Sequence, residues 1–109
     1  MRHDFIVWAP RQFNSVADHV CNMVMDFGAP VYVEHSGIYD THWTSIQLCV
    51  DGGFRDDGTA AAGFAVFGWN AREWILLLYS GILLQNVQSS FHAECLALEE
   101  AMRWMSANS

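Results

Sequence analysis

The sequence predicts an α/β fold in one small domain, and three observations support this interpretation. Two segments carry apolar residues at helical spacing, and three others have the length and composition of strands. Short turns rich in Gly, Asn and Asp join those three strands, which predicts an antiparallel meander. A chain of 109 residues has room for one domain only.

The chain begins with a predicted strand and a predicted helix. Asp4–Ala9 is a short apolar run that ends before Pro10, which is typical of a strand. The helix is predicted near Asn14–Phe27, with Asn14 as its N-cap and a glycine just past its end. Asp18 would then lie in the first turn, where the helix dipole favours a carboxylate, and this is the ordinary explanation for that residue.

The segment after this helix contains one more strand-like stretch and a polar loop. Val31–His35 alternates like a strand, and the loop from Ser36 to His42 follows it. His35 and His42 have no partner at a familiar metal-ligand spacing, so we expect both to be solvated.

The meander comprises Thr44–Val50, Ala61–Trp69 and Glu73–Leu84. The first turn contains Asp56 and Asp57, which we expect to be solvated bystanders, and the third strand is expected to bend near Ser80-Gly81. The final helix is predicted near Ser90–Met105, with N-cap serines and an apolar stripe. The stripe consists of Phe91, Cys95, Leu98, Met102 and Met105.

Asp51 lies in the middle of this pattern, directly after the apolar run Leu48–Val50 and before two glycines. A carboxylate inside an apolar strand costs free energy unless it is paired, and a metal ion is one such partner. The alternative from this stretch alone is an Asp that caps the Gly-Gly turn. Glu94, beside the apolar stripe of the last helix, has the similar alternative of a first-turn carboxylate.

Charge and cysteine content restrict the function further. The chain has 12 Asp and Glu against 5 basic residues, all of them Arg, and a net charge of −7. Because nucleic-acid binding draws much of its affinity from Lys and Arg, this balance disfavours strong, unaided binding of nucleic acid.

The three cysteines lack metal-ligand spacing and are expected to be buried, reduced thiols. No signal peptide or membrane-spanning run is present in the sequence, so we expect a soluble, intracellular chain without membrane insertion.

The pieces together resemble the ribonuclease H family, in particular the domains of retrotransposons and their plant relatives. Residues 44–105 resemble the N-terminal half of that family, through Val50-Asp51-Gly52-Gly53, Gly63-Phe64-Ala65-Val66 and the run from Ser90 to Leu98. Residues 1–28 resemble its C-terminal strand and helix, through Ala9-Pro10-Arg11 and the stretch that ends at Asp18. The order of the two parts is reversed, and the family's central strand, with its further catalytic Asp, is absent. The resemblance therefore implies a mixed sheet in a fold that is permuted or incomplete, or a slice across the junction of two units.

The resemblance implies a site and an activity. Asp51, Glu94 and Asp18 match family positions that are catalytic and bind metal, so the three carboxyl groups are expected to converge. Asp51 would bridge two Mg²⁺ ions, or Mn²⁺ in their place, while Glu94 holds one ion and Asp18 the other. The implied reaction is hydrolysis of RNA in RNA–DNA hybrids. With one ligand absent and few cations, we expect weak or no cleavage by this chain alone.

Two expectations concern partners. The missing strand would leave a gap between Asp4–Ala9 and Thr44–Val50, which Val31–His35, another protein chain or a second copy would fill. The competing function is a non-catalytic structural or interaction subunit derived from a ribonuclease H-like domain.

Overall fold

The computed structural model describes residues 11–38 and 42–108, with side chains described from residue 13 onward. In chain order the elements are α1 (Arg11–Phe27), β1 (Val31–Glu34), β2 (Ser45–Phe54), β3 (Ala60–Trp69), β4 (Trp74–Leu83) and α2 (Ser90–Ala107). The predicted strand Asp4–Ala9 lies outside the described residues.

The strands form one four-stranded sheet in the order β1-β4-β3-β2. Every pairing between these strands is antiparallel, and the predicted meander is confirmed as β2, β3 and β4. The α/β class is thus confirmed, and the described part of the sheet is antiparallel throughout rather than mixed.

The hairpin between β2 and β3 has the predicted turn. Asp51 pairs with Gly63, and the register runs without interruption from Ser45↔Trp69 to Phe54↔Ala60. The turn closes through the amide of Arg55, which donates to the carbonyl of Thr59 at 2.8 Å. Gly58 adopts φ +88°, a conformation that L side chains rarely adopt.

The position of β1 corrects one expectation. Val31–His35 was a candidate to fill the gap beside Thr44–Val50, but β1 pairs with β4, at the opposite edge of the sheet, with Val31 opposite Gly81. Gly28 ends α1 with φ +68° and lets the chain turn out of the helix into β1. Within the described part of the chain, β2 therefore forms an edge of the sheet.

The irregularity of β4 also differs from the prediction. The strand is continuous through Ser80 and Gly81, and the register shifts opposite Val66 and Phe67 instead. Gly81 serves close packing: a Cβ there would lie 2.6 Å from Val24 and 2.8 Å from Val20 of α1. The glycine therefore reflects contact with a helix rather than a bend.

The two helices cover opposite faces of the sheet. On one face, α1 packs through Ala17, Cys21 and Val24 onto residues that include Cys49, Ala61 and Phe67. On the other face, α2 covers a cluster formed by residues such as Ile46, Phe64, Val66 and Leu78. Strand β3 lies between the two layers and is buried over most of its length.

Helix α1 is longer at its start than predicted. It includes Arg11 through Phe27, so Asn14 is not its N-cap and Asp18 is its eighth residue. Phe13 extends the helix because its ring stacks on Phe67 of β3, with centroids 4.6 Å apart. The dipole explanation for Asp18 is therefore wrong.

Helix α2 begins where predicted but buries a different face. Ser89 is the N-cap, and its hydroxyl accepts from the amide of His92 at 3.1 Å. The buried residues are Ala93, Ala97, Ala101 and Met105, whereas the predicted stripe residues Phe91, Leu98 and Met102 are exposed. The small alanine side chains let the axis of α2 approach the sheet closely. The close packing gained in this way outweighs the greater hydrophobicity of the predicted stripe.

The cysteine prediction holds for two positions of three. Cys21 and Cys49 are buried free thiols, but Cys95 is exposed on α2.

None of the helices in the described ranges 11–38 and 42–108 has the length and apolar character needed to cross a membrane.

Candidate carboxylate site

Asp51 sits near the middle of β2, on the face that α1 covers. Its immediate cross-strand neighbour is Gly63, and side chains alternate along the strand so that Cys49, Asp51 and Gly53 share that face. The carboxyl group is half-buried. The turn-capping explanation for Asp51 is wrong, because the strand continues to Phe54.

Asp18 reaches Asp51 from α1. The side chains of the two residues are within hydrogen-bonding contact, although 33 positions separate them in the sequence. Gly63 makes this approach possible, because a Cβ there would lie 2.7 Å from the carbonyl oxygen of Ala17 and 3.1 Å from the amide nitrogen of Cys21. The missing side chain thus brings the α1 backbone against the strand pair beside Asp51.

Glu94 comes from the opposite layer. A Cβ at Gly52 would overlap the carbonyl group of Ala93 and the amide nitrogen of Glu94, so α2 rests directly on the β2 backbone. Glu94 is the fifth residue of α2 and lies past the first turn, where the helix dipole alone would explain an acid. Its charge acts on Asp51, while its side chain remains exposed.

The electrostatics of Asp51 reflect this environment. Burial, a hydrogen bond with the carboxyl of Asp18, and the negative charges of Asp18 and Glu94 raise the pKa of Asp51 to about 6. The amide of Gly52 lowers that pKa in part, because it donates to the ionised form. Below that pKa, the Asp51 carboxyl is mostly protonated and donates to the carboxyl of Asp18, which relieves the contact between two like charges.

Cys21 reports the same negative environment. Burial, followed by the charge of Asp51 and that of Asp18, raises the pKa of its thiol to about 11. The thiol donates to the carbonyl of Ala61 at 3.3 Å. Cys21 is therefore a neutral packing residue that closes one side of the carboxylate pair.

The donor set suits a hard divalent cation, which takes carboxylate oxygens as ligands. In place of the proton on Asp51, a divalent cation could neutralise the carboxylates of both Asp18 and Asp51. As the side chains stand, however, the described ranges contain no group of three His, Cys, Asp or Glu residues arranged around one ion position. The pair Asp18–Asp51 therefore fits a cation by its chemistry, and Glu94 contributes charge beside it.

A groove of about 650 Å³ lies between α1 and β4 and borders this site. Asp18 and His19 line it on the helix, and Leu76 and Tyr79 line it on β4. Asp51 does not line the groove. The groove therefore meets the carboxylate pair only at Asp18.

Arg55, which sequence reasoning assigned only to a turn, holds α1 in place beside the site. Its guanidinium forms a 2.7 Å ion pair with Asp26 and lies 3.4 Å from the side-chain oxygen of Asn22. These contacts fix the C-terminal half of α1 to the end of β2. Sequence reasoning also assigned no structural role to Gly52 and Gly63. Gly52 directly follows Asp51, and Gly63 pairs with it across the hairpin, so both positions could have indicated close contact between the strands and a helix.

Comparison with known proteins identifies no relative: no family model, no curated protein and no solved structure matches the chain.

Proposed function

We propose that this chain is a ribonuclease H-derived domain whose carboxylate site supports cation-dependent hydrolysis of a phosphodiester in RNA–DNA hybrids. The observation that carries the proposal is the contact between Asp18 and Asp51, which the fold brings together from a helix and a strand with Glu94 close by. The sequence resemblance picks out the same three residues. A carboxyl group such as Asp51, whose pKa is raised by burial and a specific charged neighbour, is also typical of functional sites.

Each residue has a distinct role in this proposal. Asp51 and Asp18 would hold Mg²⁺ or Mn²⁺ through their carboxylate oxygens. Glu94 adds a third carboxylate, and the contact between Gly52 and α2 sets its distance from Asp51. When bound, the ion supplies activation of water and stabilisation of the leaving oxygen. Because three unneutralised acids repel phosphate, loss of the cation is expected to abolish binding of nucleic acid as well.

The metal site is tested by cation binding, which does not depend on turnover. We expect calorimetric titration with MnCl₂ to show binding to the native chain at neutral pH, with Asp51→Asn abolishing it and Asp18→Asn weakening it strongly. Asp57→Asn is the matched control, since Asp57 is exposed in the adjacent turn. Equal Mn²⁺ binding by native chain and Asp51→Asn would refute the site.

The reaction is tested with a labelled RNA–DNA hybrid at millimolar Mg²⁺ and low salt. The prediction from the sequence is weak or no cleavage by the chain alone, because a family ligand is absent and the chain has only five basic residues to bind phosphates. Cleavage that Asp51→Asn removes and Asp57→Asn preserves would establish the enzyme. The same control separates it from a contaminating nuclease.

A second candidate is a non-catalytic interaction subunit, and the net charge of −7 without any lysine favours it. Such a surface is unsuited to nucleic acid but compatible with protein partners. The Mn²⁺ titration separates the candidates, because a subunit of this kind has no need to retain cation affinity at Asp51.

A further inference from the structure

Helix α2 carries an exposed apolar seam, which comprises Phe91, Cys95, Leu98 and Met102. The exposed fractions of Phe91, Leu98 and Met102 are 73%, 52% and 51%, and Cys95 is exposed as well. At about 100° per residue, the seam residues lie within about 60° of one another and extend about 17 Å along the helix. The centre of the seam lies about 110° from the centre of the buried face, which comprises Ala93, Ala97, Ala101 and Met105. Exposed apolar residues that form a contiguous strip, unlike ones scattered singly, are a feature of interaction sites.

The spacing of the seam indicates the shape of its partner. The four residues follow one another at intervals of four, three and four, which is the alternating pattern of a coiled-coil seam over two heptads. Side chains at this spacing leave holes that fit the knobs of another helix. A strand or an irregular loop would not match this repeat.

The flanks of the seam indicate the charge of that partner. Glu94 and Glu99 border it about 70° to either side, at positions where coiled coils place their charged contacts. Glu99 and Glu100 share Arg103 in two ion pairs, so these three side chains carry a net charge of −1. The whole chain carries −7. A partner with Lys or Arg beside its own apolar seam would complement these flanks.

A second copy is a poorer fit. Parallel pairing of two α2 helices would set Glu94 of each copy against Glu99 of the other, and like charges at these positions destabilise a coiled coil. Antiparallel pairing avoids that contact but still brings together two chains of −7 each.

We propose that the Phe91–Met102 seam of α2 is a docking site for an amphipathic helix of another protein, with large aliphatic residues in its seam and Lys or Arg at its flanks. The proposal goes beyond the proposed hydrolysis and stands independently of it. Because Glu94 borders the seam, a helix docked here would lie next to the carboxylate site.

The test uses two synthetic peptides of roughly three heptads each, both with Leu in the seam. One carries Lys and Arg at the flanking positions and the other carries Glu. We expect fluorescence anisotropy with the full chain to show binding of the basic peptide that weakens with added salt, and at least tenfold weaker binding of the acidic peptide. Leu98→Glu and Met102→Glu should each lower affinity for the basic peptide about tenfold or more.

Phe27→Glu is the matched control, because Phe27 is 79% exposed at the end of α1 and the substitution changes the charge identically. A second readout is Cys95, which should lose reactivity with iodoacetamide when the peptide is bound, while buried Cys21 and Cys49 stay unreactive in both states. Circular dichroism verifies that each variant is folded.

Three results would overturn the proposal. They are equal binding of both peptides, equal weakening by Phe27→Glu and Leu98→Glu, and a peptide that binds without protecting Cys95. Light scattering that finds a dimer of the free chain, which Leu98→Glu dissociates, would assign the seam to a second copy instead and refute the heterologous partner.

Discussion

At the scale of single residues, the environment of Asp51 has a consequence for stability. Its folded pKa of about 6 exceeds the value near 3.9 of an unfolded Asp. Between those values the folded chain binds more protons than the unfolded chain, so the contribution of Asp51 to stability falls as pH rises through this window. Above about pH 6 the loss is complete.

We therefore expect Asp51→Asn to match the native chain in stability near pH 4 and to exceed it increasingly up to about pH 6. Urea unfolding at a series of pH values measures this difference. Asp57→Asn should instead be less stable than the native chain by a nearly constant amount over this range, because hydrogen bonds from Thr59 lower the pKa of Asp57 and stabilise its ionised form. That contribution is fully present above the unfolded value near 3.9 and is lost only at lower pH. A constant difference in stability between Asp51→Asn and the native chain across this range would contradict the raised pKa of Asp51.

The glycines around Asp51 allow a sharper test of packing. Gly52→Ala should destabilise the fold by about 1–3 kcal/mol, because its Cβ meets the backbone of α2, which cannot move alone. Gly53→Ala is the neighbouring control: its Cβ meets the ends of the Met25 and Cys21 side chains, and Met25 can change rotamer. Chemical denaturation should give a lower free energy of unfolding for Gly52→Ala than for Gly53→Ala. The reverse order would show that α2 does not rest on β2 at this point.

At the scale of elements, most of the fold was readable from sequence. The hairpin followed from the strand–turn–strand pattern around Arg55–Thr59, and α1 followed from apolar residues at helical spacing. The partner of β1 was not readable, because a strand of four residues carries little information on pairing. The buried face of α2 was misassigned because Ala93, Ala97 and Ala101 are weakly hydrophobic, and only the bare backbone at Gly52 makes them the better contact.

The packing of helices against the sheet also limits how much of the site could be predicted from sequence. The sequence resemblance selected Asp18, Asp51 and Glu94, and hydrophobic patterning placed Asp51 on a strand. Neither the resemblance nor the patterning gave a distance between residues of different elements, because such a distance depends on how closely α1 and α2 approach the sheet. Gly52 and Gly63 set that approach, and their role emerges only once strand register is known.

The start of α2 offers a test at this scale. Ser89→Ala should cost about 1 kcal/mol, because the side chain of Ser89 accepts from the amide of His92 and satisfies a donor that the helix leaves unpaired. Ser90→Ala is the control, since Ser90 is the exposed first residue of the helix. Thermal denaturation of the two variants should differ, and equal melting temperatures would show that the cap contributes nothing.

At the scale of the whole molecule, charge is large relative to size. The chain carries −7 within a radius of gyration of 13.8 Å. At an ionic strength of about 0.01 M the Debye length is about 30 Å, which exceeds that radius, whereas at about 0.15 M it falls to about 8 Å. Mutual repulsion of the acids therefore acts across the whole molecule only at low salt.

We accordingly expect the melting temperature to rise as NaCl increases over that range. Choline chloride should have nearly the same effect, because screening depends on ionic strength rather than on the cation. MgCl₂ at equal ionic strength should raise the melting temperature further in native chain but not in Asp51→Asn. An equal MgCl₂ effect in both would mean that the ion acts only by screening.

The small residues of β3 determine how freely this sequence can vary. Ala61, Gly63 and Ala65 lie under α1 and are buried, with Ala62 on the other face, so no larger side chain fits there without displacing a helix. A saturation substitution scan read out by cellular abundance should find these positions intolerant of every larger residue. The outer positions of α2 should accept most polar residues. The strand with the least side-chain volume would then be the most constrained part of the sequence.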